Sequence, residues 1–406
     1  MNKVLFINGY VYLPGESALK RTVYLFELAL SKGYEATLLT SDFNHYAKEV
    51  RDIENFYVDY PQYKDTIKFI KMKPYQNNIS VRRYLNGNQF ERNAVKWFEK
   101  NGLAYDMVYL SLPAAIIADK IRPLCNRFGT KLVIDVNDLW PDSLRLFLKK
   151  EWLYKLCTYP IGRHVSKGYG NADCIVAVSD EYRKIAEAVN TRYTSSKTVY
   201  IGAMLEQFDE GVKRYSPHIT KPSNEFWVIY AGTLGASYDI ATVIRAVDEL
   251  YKAGYHNIKF KIFGKGPEEE KLRYLAENLN SKNIEFCGFV DYDKLAAYLS
   301  VSDVSVNCIK SRASQSIINK IADYFAAGKP VLNCGSCVEM HDMIIRYEVG
   351  YNYEAENATV LAEKIKYVMN NPSDATKKGG NARKLAETEF DRLKTHTELL
   401  EFLDRI

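Results

Sequence analysis

Short, continuously apolar runs constrain the fold of this chain more than any other feature. Residues 4–7 (VLFI) contain no polar side chain, and comparable runs recur at residues 107–110, 132–134 and 174–178. Such runs are typical of parallel strands covered by helices on both faces, because a strand with one face in water alternates polar and apolar residues. Since a loop and a helix-length segment follow each run, the order predicts a doubly wound α/β domain.

The same pattern starts again in the second half of the chain. Residues 226–231 (FWVIYA) are predicted to form its first strand, which a small-residue loop and a helix follow. A chain of 406 residues is long enough for two domains. Residues 203–224 are polar, contain two prolines and are predicted to be the linker. We therefore expect an N-terminal domain at residues 1–203 and a C-terminal domain at residues 204–385.

Composition excludes several classes of protein. No apolar run approaches the roughly 20 residues that span a bilayer, and residues 4–7 are too short for a signal sequence, so we expect a cytoplasmic protein. A net charge of +5 is too small for a dedicated nucleic-acid binder. The absence of GxGxxG after the first run weighs against a nicotinamide cofactor. Seven cysteines favour a reducing compartment, and the isolated CxxC at Cys334 and Cys337 is interpreted as small buried or loop residues.

Two segments combine basic and aromatic residues, namely residues 69–100 and residues 147–169. The whole chain contains 31 tyrosines beside 55 lysines and arginines. For residues 69–100, one interpretation is a solvated helix with one buried face. The other is a surface for a lipid-linked acceptor or for the membrane, because cations attract anionic headgroups and aromatic rings prefer the interface.

Residues 315–331 organise the C-terminal half. Ile317, Ile321, Tyr324 and Phe325 recur at helical spacing, and Gly328 suits the cap after the last turn. Free backbone N–H groups at the start of this helix, at residues 316–318, are expected to favour an anion. A phosphate there, with a hydroxyl group held by Asp323, fits the pattern. The alternative is an amphipathic helix that only packs against the core.

Three segments in order resemble one protein family. Residues 319–330 (NKIADYFAAGKP) resemble the signature of retaining glycosyltransferases of family 4, which have the GT-B fold of two doubly wound Rossmann-like domains facing across a cleft. Residues 135–142 (DVNDLWPD) are similar to a segment of the subgroup that builds bacterial surface polysaccharides such as O-antigen and capsule. Residues 264–267 (GKGP) resemble the family's Gly-x-Gly-Pro turn. The resemblance also implies that a last helix, at residues 386–406, packs back on the first domain.

The resemblance assigns roles to individual residues. It implies catalytic roles for Asp138, Gln315 and Lys320, with Lys320 stabilising a leaving diphosphate. Two departures from the family are Gln315, at a position that is acidic there, and the pair Tyr238 and Asp239, where many members carry Arg and Lys. Alternatives left open are that Asp138 caps the following helix and that Glu16 is an ordinary loop carboxylate. Substrate contacts are assigned to Gly15, Glu16, Gly232, Thr233, Gly235, Gly264, Lys265, Gly266, Val290, Ser316, Ile317, Ile318 and Asp323.

The implied activity is a retaining, hexosyltransferase-type reaction that requires no bound metal and no other cofactor. The donor is a nucleotide-diphosphate sugar, expected to be UDP-linked, and the acceptor is a saccharide on a polyprenyl diphosphate lipid. Peripheral contact with the inner face of the cell membrane is expected, and a nucleic-acid partner is not. Two alternatives remain: a non-catalytic nucleotide-sugar-binding subunit of a polysaccharide complex, and a GT-B-fold nucleotide-sugar epimerase. An epimerase needs carboxylate or histidine bases, and the six histidines form no cluster in the sequence.

Overall fold

The structure is a computed structural model that describes residues 3–16, 21–77, 80–111, 115–139, 150–192, 195–313 and 316–406. The chain divides into two compact units. The first comprises Met1–Val199 and His396–Ile406, and the second comprises Tyr200–Thr395. Among the described residues, no helix is both long enough and apolar enough to cross a membrane.

A parallel sheet forms the centre of the first unit. Its strands lie in the order β5-β2-β1-β6-β7-β8-β9, and each neighbouring pair is parallel. The predicted apolar runs are buried in it, as expected of strands covered on both faces. The strands are β1 (Lys3–Ile7), β2 (Glu35–Ser41), β5 (Ile67–Ile70), β6 (Met107–Ser111), β7 (Lys131–Val136), β8 (Cys174–Ala177) and β9 (Ser195–Thr198), with a separate antiparallel hairpin of β3 (Phe43–Asn44) and β4 (Glu49–Val50).

Helices connect these strands. Residues 69–100, for which a helix was one interpretation, do contain a long helix, and Ser80 caps its start by accepting a hydrogen bond from the backbone N–H of Arg83. The helices of the first unit are α1 (Arg21–Ser31), α2 (Ile53–Asp59), α3 (Val81–Asn101), α4 (Ala115–Phe128), α5 (Glu151–Asn171) and α6 (Asp180–Glu187).

The second unit repeats this architecture with strands in the order β12-β11-β10-β13-β14-β15, again parallel. Alternate residues of the central strand enter different hydrophobic clusters: Ile229 and Ala231 belong to one, and Val228 and Tyr230 to the other. Both faces of the sheet are therefore covered. The strands are β10 (Phe226–Ala231), β11 (Ile258–Phe263), β12 (Ile284–Gly288), β13 (Val304–Cys308), β14 (Val331–Cys334) and β15 (Gly350–Asn352).

The helices of the second unit include one that the sequence did not predict. Residues 203–224, predicted to be a linker, contain a helix whose Leu205 and Phe208 are buried in the core. The helical spacing of Leu205, Phe208 and Val212 is present in the sequence, but the polar composition and the two prolines of the segment favoured a linker. The helices are α7 (Leu205–Tyr215), α8 (Ile240–Lys252), α9 (Glu269–Asn278), α10 (Tyr292–Val301), α11 (Lys320–Ala326), α12 (Val338–Arg346), α13 (Ala358–Asn370), α14 (Pro372–Glu389) and α15 (Arg392–Leu403), the last of which continues into the first unit.

Candidate functional site

The candidate site lies in the second unit, at the carboxyl ends of β10, β11 and β12. Parallel α/β sheets bind their ligands at this edge, where the loops leave the strands. Most of the predicted substrate-binding residues are in these loops or in the segment that leads into α11. No group of three or more His, Cys, Asp or Glu residues that could hold a metal ion occurs in the part of the chain that the structure describes.

Two glycine-containing loops pack backbone against backbone at this edge. The N–H of Leu234 donates to the carbonyl of Lys265 over 3.0 Å. A Cβ atom on Gly264 would overlap the carbonyl oxygen of Gly232, and a Cβ on Gly266 would overlap that of Leu234. Gly264 also has a φ of +122°, which residues with a side chain rarely adopt. These glycines are therefore required for the close approach of the loops, whatever ligand binds beside them.

Lys320 points its amine at the first of these loops. Its Nζ atom is shielded from solvent, lies 3.9 Å from the ring centroids of both Tyr230 and Tyr238, and has no hydrogen-bond acceptor among the described residues. A Cβ on Gly232 would lie 2.7 Å from this Nζ, so the loop admits the amine only because residue 232 is glycine. Thr233 and Gly235 continue the same loop.

Burial lowers the pKa of the Lys320 amine to about 7, and the nearby Cys308 opposes this shift. The two aromatic faces also favour the charged form, because the negative face of a ring attracts a cation. An anion that reached Nζ would supply the missing acceptor and raise the pKa of the amine. The geometry therefore suits Lys320 to binding a phosphate group.

Asp323 lies one turn after Lys320 on α11. The hydroxyl group of Tyr292 donates to its Oδ1 atom over 2.7 Å, which ties α11 to the start of α10 at the carboxyl end of β12. Burial raises the pKa of Asp323 to about 6, while the hydrogen bond from Tyr292 and the charge of Arg392 act in the opposite direction. The carboxylate is thus positioned by its partner, as a group that holds ligand hydroxyls must be.

The segment before α11 differs from the prediction. The helix begins at Lys320, so Ser316–Ile318 is not its first turn, although the N–H of Ile321 does donate to the carbonyl of Ile318 over 3.1 Å. The β-branched side chains of Ile317 and Ile318 disfavour helix there, and Ile317 packs in the core instead. The start of the helix was therefore predicted too early, and the binding of an anion by the N–H groups of residues 316–318 stays a prediction. Gln315 lies outside the described residues.

Two predicted contacts lie at the margin of the site. The side chain of Lys265 is exposed on the loop after β11. Val290, after β12, is partly buried against the hydrophobic cluster that includes Ile321. Lys265 is therefore accessible to a ligand, whereas Val290 has a packing role whether or not it also contacts one.

In the first unit, Glu16 is held by its surroundings. Its carboxylate accepts hydrogen bonds from Arg51 Nε over 2.7 Å and Nη2 over 2.9 Å, from Asn44 over 3.0 Å, and from the N–H of Leu13 over 2.8 Å. The loop that contains Gly15, with a φ of +83°, is therefore attached to the hairpin of β3 and β4. Glu16 positions this loop, and its predicted contact with the acceptor stays a prediction.

Asp138, the predicted catalytic residue of the first unit, follows β7 and is partly exposed. The strand end before it is anchored by Asp135, which is buried and paired with Arg21 at 3.0 Å. Asn137 also donates to Asp135 over 3.2 Å. These contacts position the backbone that presents Asp138. The alternative, that Asp138 caps a helix following Pro141, concerns residues 140–149, which lie outside the described residues.

The sequence analysis did not single out Tyr230 or Tyr292, and it did not predict that Tyr238 contacts Lys320. The sequence did mark Tyr238 as unusual, because this residue occupies a position where the family that the chain resembles often carries a cation. Tyr292 directly follows Asp291, the residue at the N-cap of α10. Tyr230 lies within a strand, and its contact with Lys320 depends on tertiary packing that no local pattern encodes.

The architecture of both units, with all-parallel sheets covered by helices, is that of the GT-B glycosyltransferases, and the predicted fold class is thereby confirmed. Residues 212–385 match the model of the family described as "Glycosyl transferases group 1". This match covers most of the second unit and includes every residue of the candidate site that is described above for that unit.

The chain is also similar to a curated protein that is described as a glycosyl transferase. WcaI of Escherichia coli (strain K12), provisionally described as a colanic acid biosynthesis glycosyl transferase, is 24% identical over 187 residues, which are 45% of this chain and 44% of WcaI. The chain thus aligns with less than half the length of this curated relative.

Two solved structures are similar over nearly their whole length. Anabaena Alr3699/HepE, solved in complex with UDP, has a TM-score of 0.70 at 13% identity, and the match covers 100% of both chains. WaaG, described as a glycosyltransferase involved in lipopolysaccharide biosynthesis, has a TM-score of 0.67 at 13% identity, covering 98% of this chain and 99% of WaaG. Because the sequence identity is only 13% in both cases, the structural similarity is evidence for the fold alone.

Proposed function

We propose that this chain is a retaining glycosyltransferase of family 4, of the hexosyltransferase type. It transfers a sugar from a nucleotide-diphosphate sugar, UDP-linked, to a lipid-linked saccharide in the biosynthesis of a surface polysaccharide such as O-antigen or capsule. It acts in the cytoplasm at the inner face of the membrane and requires no metal ion. The family match at residues 212–385 and the relationship to WcaI support this proposal.

The observation that carries the proposal is the buried amine of Lys320, which lies beside the loop at Gly232 with no acceptor among the described residues. A buried amine without a partner is costly in free energy, and such groups are found where a ligand supplies the partner. The UDP bound in the similar HepE structure is the kind of anion that would do so.

The proposed chemistry follows from these groups. The bond between the anomeric carbon and the diphosphate oxygen breaks, and its electron pair goes to the diphosphate. The acceptor hydroxyl oxygen bonds to the anomeric carbon, and its proton passes to the departing diphosphate. Lys320 stabilises the negative charge that grows on the leaving group. Asp323 holds the ribose hydroxyls by charge-assisted hydrogen bonds, and Asp138 and Gln315 contact the transferred sugar.

Donor binding is tested by measuring how much each member of a panel of nucleotide sugars raises the thermal stability of the protein. A ligand at 100 times its dissociation constant adds about 2.7 kcal/mol to the unfolding free energy, which is easily detected. We expect UDP-sugars to stabilise the protein and nucleoside monophosphates to have little effect. Stabilisation by no nucleotide sugar would contradict the proposal.

Transfer itself is tested with a polyprenyl-diphosphate saccharide as acceptor, with and without EDTA. The proposal predicts release of nucleoside diphosphate that depends on the acceptor and is insensitive to EDTA. Interconversion of the donor sugar without an acceptor would instead identify an epimerase. Donor binding without transfer to any member of an acceptor panel would favour the non-catalytic subunit.

A further inference from the structure

Helix α5 carries an apolar stripe that nothing in the described structure covers. Trp152, Leu156 and Tyr159 follow one another at spacings of four and three residues and therefore lie on one face. Their exposed fractions are 65%, 68% and 69%, high values for large apolar side chains. We call this face, together with Lys155 and Arg163, the α5 ridge.

The opposite face of α5 packs against the rest of the first unit. Tyr154, Thr158, Val165 and Tyr169 are buried there. A Cβ on Gly168 would lie 2.6 Å from the Cβ of Ala118, which shows how closely α5 packs on α4. The exposed residues of the ridge are therefore not needed to hold the helix in place, and their apolar character requires another explanation.

After its first residue, Glu151, helix α5 carries charge of one sign. From residue 152 to residue 171 the helix contains no Asp or Glu. Lys155 and Arg163 are exposed beside the apolar stripe and line an open groove with Tyr159 and Gly162. On the flank of the helix, His164 and Lys167 approach Asp119 of α4, at 3.3 Å and 3.5 Å. The ridge itself therefore presents cations at the edge of its apolar side chains.

We propose that the α5 ridge docks on the surface of an anionic lipid bilayer. Trp152 and Leu156 enter the boundary between headgroups and acyl chains, and the ring of Tyr159 lies at headgroup level with its hydroxyl group in water. Arg163 contacts lipid phosphates from the groove, and the charge of Lys155 at the rim of the groove adds to the attraction. A soluble protein partner fits less well, because protein interfaces bury an apolar centre from which charges are depleted.

This inference rests on the proposed function only for its biological purpose, since a lipid-linked acceptor is presented at such a surface. The docking itself is independent of catalysis. Membrane binding is measured without donor or acceptor, and UDP binding is measured without lipid, so that failure of one proposal is distinguishable from failure of the other.

The experiment is flotation of the full-length protein with vesicles of phosphatidylcholine alone and of phosphatidylcholine mixed with phosphatidylglycerol. We expect binding to the mixed vesicles, weaker binding to the neutral ones, and a decline with added salt. A double variant, Trp152→Ser with Leu156→Ser, should lose binding. The matched control, Leu103→Ser with Ile345→Ser, removes apolar side chains of similar exposure (79% and 69%) elsewhere and should bind like the wild type.

Charge-reversal variants provide a second test in the same flotation experiment. Each cation near an anionic surface contributes roughly fivefold in affinity, about 1 kcal/mol, so Arg163→Glu, which changes the charge by two units, should weaken binding about thirtyfold. Lys32→Glu, at an exposed turn after α1, is the control. Retained membrane binding by the ridge variants, or no binding of the wild type to anionic vesicles, would overturn the proposal. An unchanged midpoint of urea denaturation in every variant shows that the proteins are folded, whether or not they bind UDP.

Discussion

The Lys320 amine occupies an environment that opposes its charge, with two tyrosine rings but no acceptor among the described residues. Burial lowers its pKa to about 7. Positions that cost stability in this way are commonly retained for function, because a ligand recovers the free energy that folding loses.

Replacing Lys320 by methionine should stabilise the protein. The thioether has a similar length and needs no acceptor, so the variant avoids the cost of burying an amine. We expect the free energy of unfolding at neutral pH to rise by roughly 2 kcal/mol in urea denaturation. Lys366→Met is the control, since Lys366 lies 5.2 Å over the Tyr255 ring but is exposed, and it should change stability little. A loss of stability in Lys320→Met would show that the amine has a stabilising partner.

Stability and nucleotide affinity should respond to pH in opposite directions. The pKa of Lys320 is about 7 in the folded protein and 10.5 ordinarily, so the unfolded chain binds more protons between these values. The contribution of Lys320 to stability therefore increases as pH rises through this window. Affinity for UDP should fall over the same range, because the diphosphate prefers the ammonium form. Urea denaturation and calorimetry across pH test this, and Lys320→Met should lose both slopes.

Among the elements, the paired loops after β10 and β11 are the most constrained. Gly264→Ala would force a Cβ against the Gly232 carbonyl at a φ of +122°. We expect a loss of at least about 3 kcal/mol in unfolding free energy, with reduced UDP affinity in the fraction that folds. Gly254→Ala is the matched control: its φ is +93°, but no atom lies within 4 Å, so only backbone strain of about 1 kcal/mol should appear. Equal losses would contradict the close packing of the loops.

Helix α7 provides another test at this scale, because its sequence was predicted to be a linker. Phe208 is only 1% exposed and packs in the core of the second unit. Phe208→Ala should lower the unfolding free energy by about 3 to 5 kcal/mol, as for other buried aromatic residues. A loss below about 1 kcal/mol in urea denaturation would show that α7 behaves as a linker after all.

The sequence predicted the elements that have a local pattern and missed the features that depend on tertiary packing. The strands were evident, because runs such as residues 4–7 and 226–231 are buried on both faces and need no partner to be recognised. The start of α11 was misplaced, since the core packing of Ile317 is a tertiary effect. The aromatic surroundings of Lys320 could not be predicted, because they join a strand, a loop and a helix distant in sequence.

For the molecule as a whole, the class of fold was predicted correctly, whereas the roles of individual site residues stay predictions. Parallel strand patterns in both halves led to two α/β units, and the structure has them. Glu16 shows what the sequence did not reveal: its carboxylate is paired with Arg51, in addition to the acceptor contact that stays a prediction. A loop residue's partner depends on how distant segments pack, which composition and spacing do not encode.

Calorimetric titration with UDP measures whether the second unit holds a nucleotide diphosphate against Lys320, as we propose. Hydrogen bonds to charged groups contribute about 1.5–3 kcal/mol, so Lys320→Met should weaken UDP binding about 10- to 100-fold. The control Lys366→Met should bind UDP like the wild type. Equal UDP affinity in the wild type and Lys320→Met would contradict the account.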